Sequence, residues 1–383
     1  MSAPKLRFPS FDESWIRGKL GSALDSIQSG KSKNREIIGR FPLFGSTGPI
    51  GFTNEPEYSG KSILIARVGA NAGSKYAVDG KYSVTDNTLI LRLKDGYSYE
   101  FFSDLLEHKK LNKLTFGSGQ PLVTAGLLKQ IEIYSPKQDE QKKIASFLSK
   151  VDQKNTLLSK KLELLMRYKK GVMQKIFNQE IRFKDRDGKD FPEWRQVTIG
   201  EIANKVQAGA TPSTLKREYW GGDIRWMNSG ELNLKMVDEV ENRISQAGLD
   251  ASSTKLIPIN CVLIGLAGQG KTRGTVAMNL VELCTNQSIA AILPNPDVFN
   301  SHYLYQNLDA RYDELRSLST GDGGRGGLNL QIIKAIKINL PCLKEQIKIA
   351  KLLDLIDSKI DLVKSYIELT KQYKQGLLQQ MFI

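Results

Sequence analysis

The segment DEQKKIASFLSKVDQKNTLLSKKLELLMRYKKGVMQKIFN, residues 139–178, decides the architecture of this chain. It contains no proline and a single glycine, Gly171, and its apolar residues recur at alternating steps of four and three, the spacing of a coiled-coil seam. A helix of this length extends about 60 Å, too far to be buried within one compact domain. The segment therefore predicts a long helix that needs a partner helix. Its seam positions are Ile144, Leu148, Val151, Asn155, Leu158, Leu162 and Leu165.

The partner comes from the same chain, because residues 341–382 repeat residues 136–177 without a gap. About 17 of the 42 aligned positions are identical at an offset of 205 residues, which marks a long-period internal repeat. The repeat predicts a pseudo-twofold molecule of two half-units, each a globular body followed by a long helix. Asn155 stands where the second helix has Ile360, and a single polar seam residue can fix register and direction. The second seam comprises Ile349, Leu353, Ile356, Ile360, Val363 and Ile367.

The composition favours a polyanionic partner. The 383 residues include 55 Lys and Arg against 41 Asp and Glu, a formal net charge of +14, which makes nucleic acid the first candidate. A basic protein without such a partner is the alternative. No apolar stretch approaches the ~20 residues that span a bilayer, and no N-terminal run has signal-peptide form. Three widely spaced cysteines and two histidines suggest neither a disulfide framework nor a metal site, so we expect reduced thiols, no membrane association and a cytoplasmic location.

The order of predicted elements indicates an α+β fold, with two similar globular domains joined by two long coiled-coil helices. Strands are predicted at 62–66 and 88–93, and helices at 99–114 and 301–318, while the polar segment 182–190 is interpreted as a linker. The predicted boundaries are 1–136 for the first domain, 137–179 for the central helix, 180–341 for the second domain and 342–383 for the C-terminal helix.

Residues 265–272, GLAGQGKT, match the phosphate-binding pattern G-x-x-x-x-G-K-[ST] and follow a predicted strand. In a nucleotide-binding loop a helix begins at this point and directs its amides at the phosphates. The following residues, Arg273-Gly274-Thr275-Val276-Ala277, favour a strand instead. A P-loop NTPase is therefore kept as an alternative function.

The same loops suit DNA. Glycine-rich loops let the backbone approach phosphates, Lys and Arg contact phosphates or guanine edges, and Asn and Gln can read adenine. For each side chain, an ordinary solvated loop position is an equally good interpretation. The candidates for DNA contact are Arg67, Asn71, Lys75, Ser118 and Gln120 in the first domain, and Lys216, Arg217, Asn228, Gln269, Lys271, Arg273 and Arg325 in the second.

The sequence contains no recognisable catalytic set. It lacks the Asn-Pro-Pro-aromatic quartet of adenine methyltransferases, a convincing Gly-x-Gly cofactor loop and a helicase series. We therefore expect a non-catalytic chain.

Together these features resemble the specificity (S) subunits of Type I restriction–modification systems. The resemblance covers essentially the whole chain, and the repeat is more specific than any single motif. The residues that carry it are the duplicated openings Phe8-Pro9 with Trp15 and Phe191-Pro192 with Trp194, the loops Gly117-Ser118-Gly119-Gln120 and Gly323-Gly324-Arg325, and the Glu-Gln-x-Lys-Ile-Ala helix starts at Glu140 and Glu345.

The resemblance implies two target recognition domains, each reading one half of an asymmetric bipartite site in double-stranded DNA, with the two long coiled-coil helices forming an antiparallel spacer between them. It also implies docking of two methyltransferase (M) subunits and, through them, restriction (R) subunits. No cofactor is then expected on this chain, because S-adenosylmethionine, ATP and magnesium would belong to those partners. A coiled-coil scaffold that binds only protein remains the second alternative.

Overall fold

The computed structural model describes residues 3–33, 35–114, 121–268, 272–318 and 327–383. The chain forms two compact units, of which the first comprises Met1–Lys161 with Val363–Ile383 and the second comprises Leu162–Leu362. Each unit thus contains one body together with part of each long helix. Because the unit boundaries fall inside the helices, the domain boundaries given above stay predictions.

The first half of the chain is a mixed body that leads into a long helix. Its strands are β1 (Ile16–Lys19), β2 (Leu24–Ser29), β3 (Phe41–Gly45), β4 (Gly48–Thr53), β5 (Tyr58–Ser59), β6 (Ser62–Ala66), β7 (Lys75–Val78), β8 (Lys81–Val84), β9 (Thr88–Leu93) and β10 (Glu132–Ser135). Its helices are α1 (Leu20–Ala23), α2 (Tyr99–His108), α3 (Ala125–Gln130) and α4 (Gln138–Phe177), with a 3-10 turn at Leu111–Leu114.

The second half repeats this plan. Its strands are β11 (Arg195–Thr198), β12 (Val206–Ala208), β13 (Trp220–Met227), β14 (Met236–Val237), β15 (Asn242–Ile244), β16 (Val262–Gly265), β17 (Val276–Asn279), β18 (Cys284–Thr285), β19 (Ile289–Ile292) and β20 (Lys337–Leu340). Its helices are α5 (Ile199–Ile202), α6 (Gln246–Asp250), α7 (Ser301–Asp309), α8 (Tyr312–Ser317), α9 (Leu330–Ala335) and α10 (Leu343–Met381), with 3-10 turns at Arg217–Tyr219 and Ser229–Leu234.

The two bodies share a sheet topology. The main sheet has the order β2-β9-β6-β7 in the first unit and β12-β19-β16-β17-β14 in the second. In each body a further sheet contains a parallel pair, β3 with β8 and β13 with β18, and a two-stranded sheet joins the start of the body to its end, β1 with β10 and β11 with β20. The central strands β6 and β16 are buried at every residue, which explains their continuous apolar sequences.

Within each unit the two helices run antiparallel. In the first unit Ile144 and Leu148 of α4 share a buried cluster with Leu377 of α10, and in the second Met173 of α4 shares one with Leu353 of α10. Early residues of one helix therefore lie with late residues of the other, as antiparallel packing requires. This arrangement confirms the predicted α+β class with two long helices.

The predicted seam positions differ in burial along the helices. Asn155, Leu158, Leu162 and Leu165 are half-buried. The Oδ1 atom of Asn155 is enclosed without a hydrogen-bond partner among the described residues, so this residue lowers stability where it sits. The buried seam positions are Ile144, Leu148, Val151, Ile349, Leu353, Ile356, Ile360, Val363 and Ile367.

The Glu-Gln pair at the start of each long helix attaches the body to that helix. The buried carboxylates of Glu140 (3% exposed) and Glu345 (0% exposed) each accept bonds from an arginine and a tryptophan indole. Arg7 Nη2 lies 2.7 Å from Glu140 Oε2, and Arg182 Nη2 lies 3.1 Å from Glu345 Oε2. The indole N–H groups of Trp15 and Trp194 donate over 3.3 and 3.0 Å.

The neighbouring glutamines hold the next helix of the body. Gln141 Oε1 accepts from the amide of Ser98, the N-cap of α2, over 3.0 Å, and Gln346 Oε1 accepts from the amide of Asn300, the N-cap of α7, over 2.8 Å. Each Glu-Gln pair thus joins three parts of its unit: the opening segment, the long helix and α2 or α7. We call these two sets of contacts the junctions. Each junction also includes the lysine cluster that α2 or α7 forms with the long helices of its unit: Lys374 with Asp104, Glu107 and Asp152 in the first unit, and Lys169 with Asp357 and Gln306 in the second.

Three details differ from the sequence predictions. The helix predicted at 99–114 ends at His108, because Lys110 adopts a left-handed conformation (φ 49°), and continues only as the 3-10 turn. The helix predicted at 301–318 is divided into α7 and α8, because Arg311 leaves helical geometry (φ −106°, ψ 25°) and its guanidinium bonds to the carbonyl of Lys337 over 2.8 Å. Arg182, placed in a linker by its polar neighbours, is instead a junction residue.

Candidate nucleic-acid interface

The first unit presents three of the predicted DNA contacts on the β6–β7 connection. Asn71 lies at an exposed turn, held by bonds from Ala72 N to Gly69 O (2.9 Å) and from Ser74 N to Asn71 O (2.9 Å). Gly73 (φ 88°) packs so tightly that an added Cβ would meet the Asn112 nitrogen at 2.4 Å. The turn is therefore rigid, and the Asn71 side chain faces outwards from a fixed support.

Arg67 and Lys75 flank this turn but already contact their own unit. Arg67 is half-buried, with Nη1 lying 3.4 Å from Ser29 Oγ. Lys75 Nζ donates to Ser103 Oγ over 2.8 Å and lies 3.1 Å from Glu107. Because this carboxylate neutralises the charge of Lys75, we expect Lys75 to contribute less to an anion-binding surface than an unpaired lysine would.

In the second unit Lys216 and Arg217 are exposed just before β13. Lys216 Nζ lies 3.0 Å from the Tyr219 hydroxyl and 5.0 Å from the centre of its ring. These contacts hold the ammonium over an aromatic ring, a cation–π arrangement that keeps the charge at an exposed position.

Asn228 and Arg273 are less exposed than Lys216 and Arg217. The Asn228 side chain accepts from the Gly230 amide over 2.8 Å and caps the 3-10 turn Ser229–Leu234, so this residue has a local structural role. Arg273 is buried and has contacts within its unit. Both stay predictions as DNA contacts. The candidates Ser118, Gln120, Gln269, Lys271 and Arg325 lie outside the described residues.

The GLAGQGKT segment does not have the surroundings of a phosphate-binding loop. After Thr272 the chain makes a turn, with Thr275 N bonded to Thr272 O over 3.0 Å, and enters β17. Strand β17 pairs antiparallel with β16, so the segment connects two neighbouring strands and precedes no helix in the described part of the second unit. The P-loop NTPase alternative is therefore not supported.

A buried cluster of charged groups lies at the first junction, away from these loops. Burial raises the pKa of Asp104 to about 6, although Lys374 and Lys75 oppose the rise. Burial also opposes the ionisation of Glu107, but Lys75 and Lys374 outweigh it and hold its pKa below the ordinary range. Asp104 and Glu107 of α2 contact Lys374 of α10, so they attach the body to the long helix.

Sequence reasoning missed the junction arginines, although a signal was present. Leu6-Arg7-Phe8 recurs as Ile181-Arg182-Phe183, but four more residues separate the second arginine from its tryptophan. The insertion hid the equivalence of the two arginines. Among the described residues, no helix combines the length and apolar content that crossing a membrane requires.

Comparisons with known proteins identify relatives of both halves. The family described as "Type I restriction modification DNA specificity domain" matches residues 21–167 and 192–371. The specificity subunit of the Type I restriction enzyme EcoR124I/EcoR124II from Escherichia coli is 29% identical over 234 residues, 60% of this chain and 56% of that protein. The MjaVIII specificity subunit from Methanocaldococcus jannaschii is 27% identical over 321 residues, 78% of this chain and 72% of that one.

Solved structures share the fold. The S subunit of the Type I restriction–modification system from M. genitalium superimposes with a TM-score of 0.64 at 18% identity, over 100% of this chain and 99% of that chain. A chain from a study of complex assembly and conformational transition in the type I R-M system superimposes with a TM-score of 0.59 at 16% identity, over 96% and 97% of the two chains. The match to the E. coli relative spans little more than half of that protein.

Proposed function

We propose that this chain, which belongs to the family of Type I restriction modification DNA specificity domains, is a non-catalytic DNA-binding subunit that reads a bipartite site. One observation carries the proposal: the family matches the chain twice, and each match includes one of the two bodies of equivalent topology. Two readers in one chain fit a site of two parts.

The recognised site is asymmetric on this proposal. The two bodies keep the same sheet order, but the connections that carry the DNA candidates differ in sequence, and β14 and α6 occur only in the second unit as described. Phosphate contacts from residues such as Lys216 and Arg217 position each body, and loop side chains such as Asn71 specify bases. The paired helices keep the half-sites about one duplex turn apart, roughly 34 Å, so that both bodies approach one face of the DNA.

Duplex binding by the full chain tests this function. We expect binding whose affinity falls steeply as salt rises, because a basic protein releases counterions from phosphates. Methylation mapping of DNA from cells that carry this chain with a methyltransferase partner then shows two short recognised elements separated by unread base pairs. A chain that bound no duplex, or a methylated site of one continuous element, would contradict the proposal.

Two methyltransferase subunits are the proposed protein partners, with restriction subunits attached through them. Each unit carries an equivalent set of exposed apolar side chains on its helix segments, which gives two similar docking surfaces. The set in the first unit is Leu157, Leu369 and Tyr373, and the set in the second, related by the 205-residue offset, is Leu362, Leu164 and Tyr168. S-adenosylmethionine, ATP and magnesium are assigned to the partner chains.

Substitution of the two sets tests the stoichiometry. The paired change Leu157→Asp and Leu369→Asp is expected to leave one methyltransferase subunit bound per chain, measured as the mass of the complex in solution. The reciprocal change, Leu362→Asp with Leu164→Asp, is expected to have the same effect. Unchanged binding of two subunits in both variants would exclude these surfaces.

A further inference from the structure

The connection between β2 and β3 in the first unit ends in an exposed apolar tip. Ile37 is 93% exposed and Ile38 is 85% exposed. Isolated exposed aliphatic residues are common, but two adjacent β-branched side chains at this level of exposure leave a continuous apolar area in contact with water and have few rotamers. They form a stiff apolar projection.

The structure fixes this tip on both sides. Glu36 pairs with Phe52 at the end of β4 through two backbone bonds of 3.0 Å, and its side chain accepts from Asn54 over 2.6 Å. On the other side Gly39 packs so closely that an added Cβ would lie 2.8 Å from the Cβ of Phe52. Ile37 and Ile38 are therefore held outwards.

The second unit has a comparable tip between β12 and β13. Leu215, 93% exposed, lies in a turn that is closed by the bond from Lys216 N to Ser213 O (3.4 Å). Two indoles support this turn: Trp220 donates to Ser213 O over 3.1 Å and Trp226 donates to Ala210 O over 3.0 Å. The rings of these tryptophans meet edge to face at 5.0 Å. The backbone of this tip is therefore also held in place.

The two tips occupy the same place in the shared topology. Strands β2 and β12 are equivalent edge strands of the main sheets, and each connection starts at a glycine, Gly30 or Gly209. An added Cβ would lie 2.4 Å from Thr85 O at Gly30 and 1.8 Å from Thr285 O at Gly209. The position of the loop is thus maintained in both bodies while its sequence differs.

Cationic side chains surround both tips. Lys33, Arg35 and Arg40 are exposed around Ile37 and Ile38, and Lys216 and Arg217 are exposed directly after Leu215. An apolar tip among cations is complementary to duplex DNA, because the cations meet phosphates while an aliphatic group can press against base edges or enter between stacked bases.

We propose that Ile37 with Ile38, and Leu215, are wedges that enter the DNA and unstack one base step in each half-site. This inference rests on the proposed DNA-binding function. Each wedge contributes apolar contact and deforms the DNA locally, so recognition depends on how easily that base step opens. The neighbouring cations supply the attraction to the phosphates.

The test uses the full chain and duplexes that carry the mapped site, with 2-aminopurine placed at successive positions of both half-sites. Unstacking raises 2-aminopurine fluorescence, so the native chain is expected to produce one fluorescent step in each half-site. The double change Ile37→Ala with Ile38→Ala is expected to abolish the signal in one half-site only, and Leu215→Ala in the other. Each variant is expected to bind the site about tenfold more weakly, since a large apolar contact is lost. The salt dependence of binding is expected to stay unchanged.

Ile16→Ala and Ile259→Ala serve as controls, because they remove exposed isoleucines elsewhere in the first and second units. Leu215→Met, which keeps an apolar side chain of similar volume, is expected to restore the signal in its half-site. DNA binding without any fluorescent step, or a step that survives both alanine variants, overturns the wedge while DNA binding stands. If the alanine variants instead lost methyltransferase binding and kept the DNA signal, the tips would be assigned to a protein partner, and this result would also overturn the wedge. Absence of duplex binding by the native chain refutes the proposed function itself.

Discussion

At the first junction Lys374 lies among three carboxylates, 2.8 Å from Asp152, 3.3 Å from Glu107 and 3.6 Å from Asp104. At the second junction the equivalent Lys169 lies 2.7 Å from Asp357, which is the counterpart of Asp152 at the 205-residue offset. The position of Asp104 is taken there by a neutral amide, Gln306, which is six residues after its helix N-cap as Asp104 is.

Some junction contacts occur in both units, whereas others occur in only one unit. Both keep the Arg–Glu–Trp contacts and the glutamine that holds the N-cap of α2 or α7. They differ in the surrounding charges: the first places an extra buried carboxylate beside its lysine, whereas Gln306 donates to Asp354 over 3.2 Å and to Asp357 over 2.8 Å. The shared contacts should therefore make similar contributions to the stability of the two units. The contacts that differ should give the stability of each unit its own dependence on pH.

The largest expected effect tests the shared contacts. Glu140→Ala and Glu345→Ala each leave a guanidinium and an indole without their buried acceptor, so each variant should lose about 3–5 kcal/mol of unfolding free energy. Chemical denaturation of the full chain measures the loss. Glu132→Ala removes an exposed ion pair with Arg17, so its stability should stay close to that of the native chain. A large loss in only one of the two junction variants would show that the junctions are not equivalent.

The next effect concerns the neutral position of the second junction. Gln306→Glu replaces an amide donor with a carboxylate facing Asp354 and Asp357, so we expect a loss of about 2–3 kcal/mol at pH 7.5. The loss should shrink on acidification, because the new side chain can take up a proton. Gln246→Glu is the matched control, since Gln246 also donates to an aspartate (Asp250, 2.8 Å) but is exposed. Equal losses at the two sites would disprove the role of burial.

A smaller effect concerns the buried acid of the first junction. The pKa of Asp104 is raised to about 6 in the folded chain, against about 3.9 in an unfolded one. At pH values between these two pKa values, Asp104 holds a proton in the folded state but not in the unfolded state. The contribution of Asp104 to stability therefore falls as the pH rises through this range and is lost above about pH 6. The asparagine of Asp104→Asn does not titrate. The unfolding free energy of this variant should therefore exceed that of the native chain by up to about 2 kcal/mol at pH 7.5 and match it near pH 4.

Denaturation curves at both pH values measure this difference. Asp25→Asn, which removes an exposed carboxyl group of the same unit, is the matched control. A stability difference for Asp104→Asn that is the same at pH 4 and pH 7.5 would contradict the raised pKa.

The smallest effect compares a junction-bound lysine with a free cation. Lys75 is paired with Glu107 of the first junction, whereas Arg217 is exposed in the second unit. Arg217→Ala should weaken duplex binding by about 1 kcal/mol and reduce the salt slope by about one, and Lys75→Ala should do less. Binding titrations at several salt concentrations measure both quantities. A stronger effect for Lys75 would show that it leaves Glu107 to reach the DNA.

Much of the fold followed from the sequence because its signals are periodic. The helices extend over dozens of residues with regular apolar spacing, and the repeat of residues 136–177 at 341–382 required two equivalent units. The glutamates and glutamines at 140–141 and 345–346 were recognised as repeated. Their purpose could not be derived, because their partners lie more than 40 residues away in the chain.

The interface was harder to predict because single side chains carry little information about their surroundings. The predicted DNA contacts Lys75 and Arg67 also contact Glu107 and Ser29 in the structure, and the predicted base contact Asn228 also caps a turn. No sequence pattern marks the tips at Ile37 and Leu215, since the exposure of an aliphatic residue depends on which backbone contacts hold its loop. Such contacts are non-local and leave no local pattern in the sequence.

The spacing of the methylated half-sites tests the central claim most directly. Duplication of residues 155–161 in α4 and 356–362 in α10 adds one heptad to each helix at the unit boundaries and preserves the phase of the seam. Each helix grows by about 10 Å, so methylation mapping should show the same two half-sites with about three more unread base pairs between them. Unchanged spacing in a folded, DNA-binding variant would contradict the account of two readers held apart by a helical spacer.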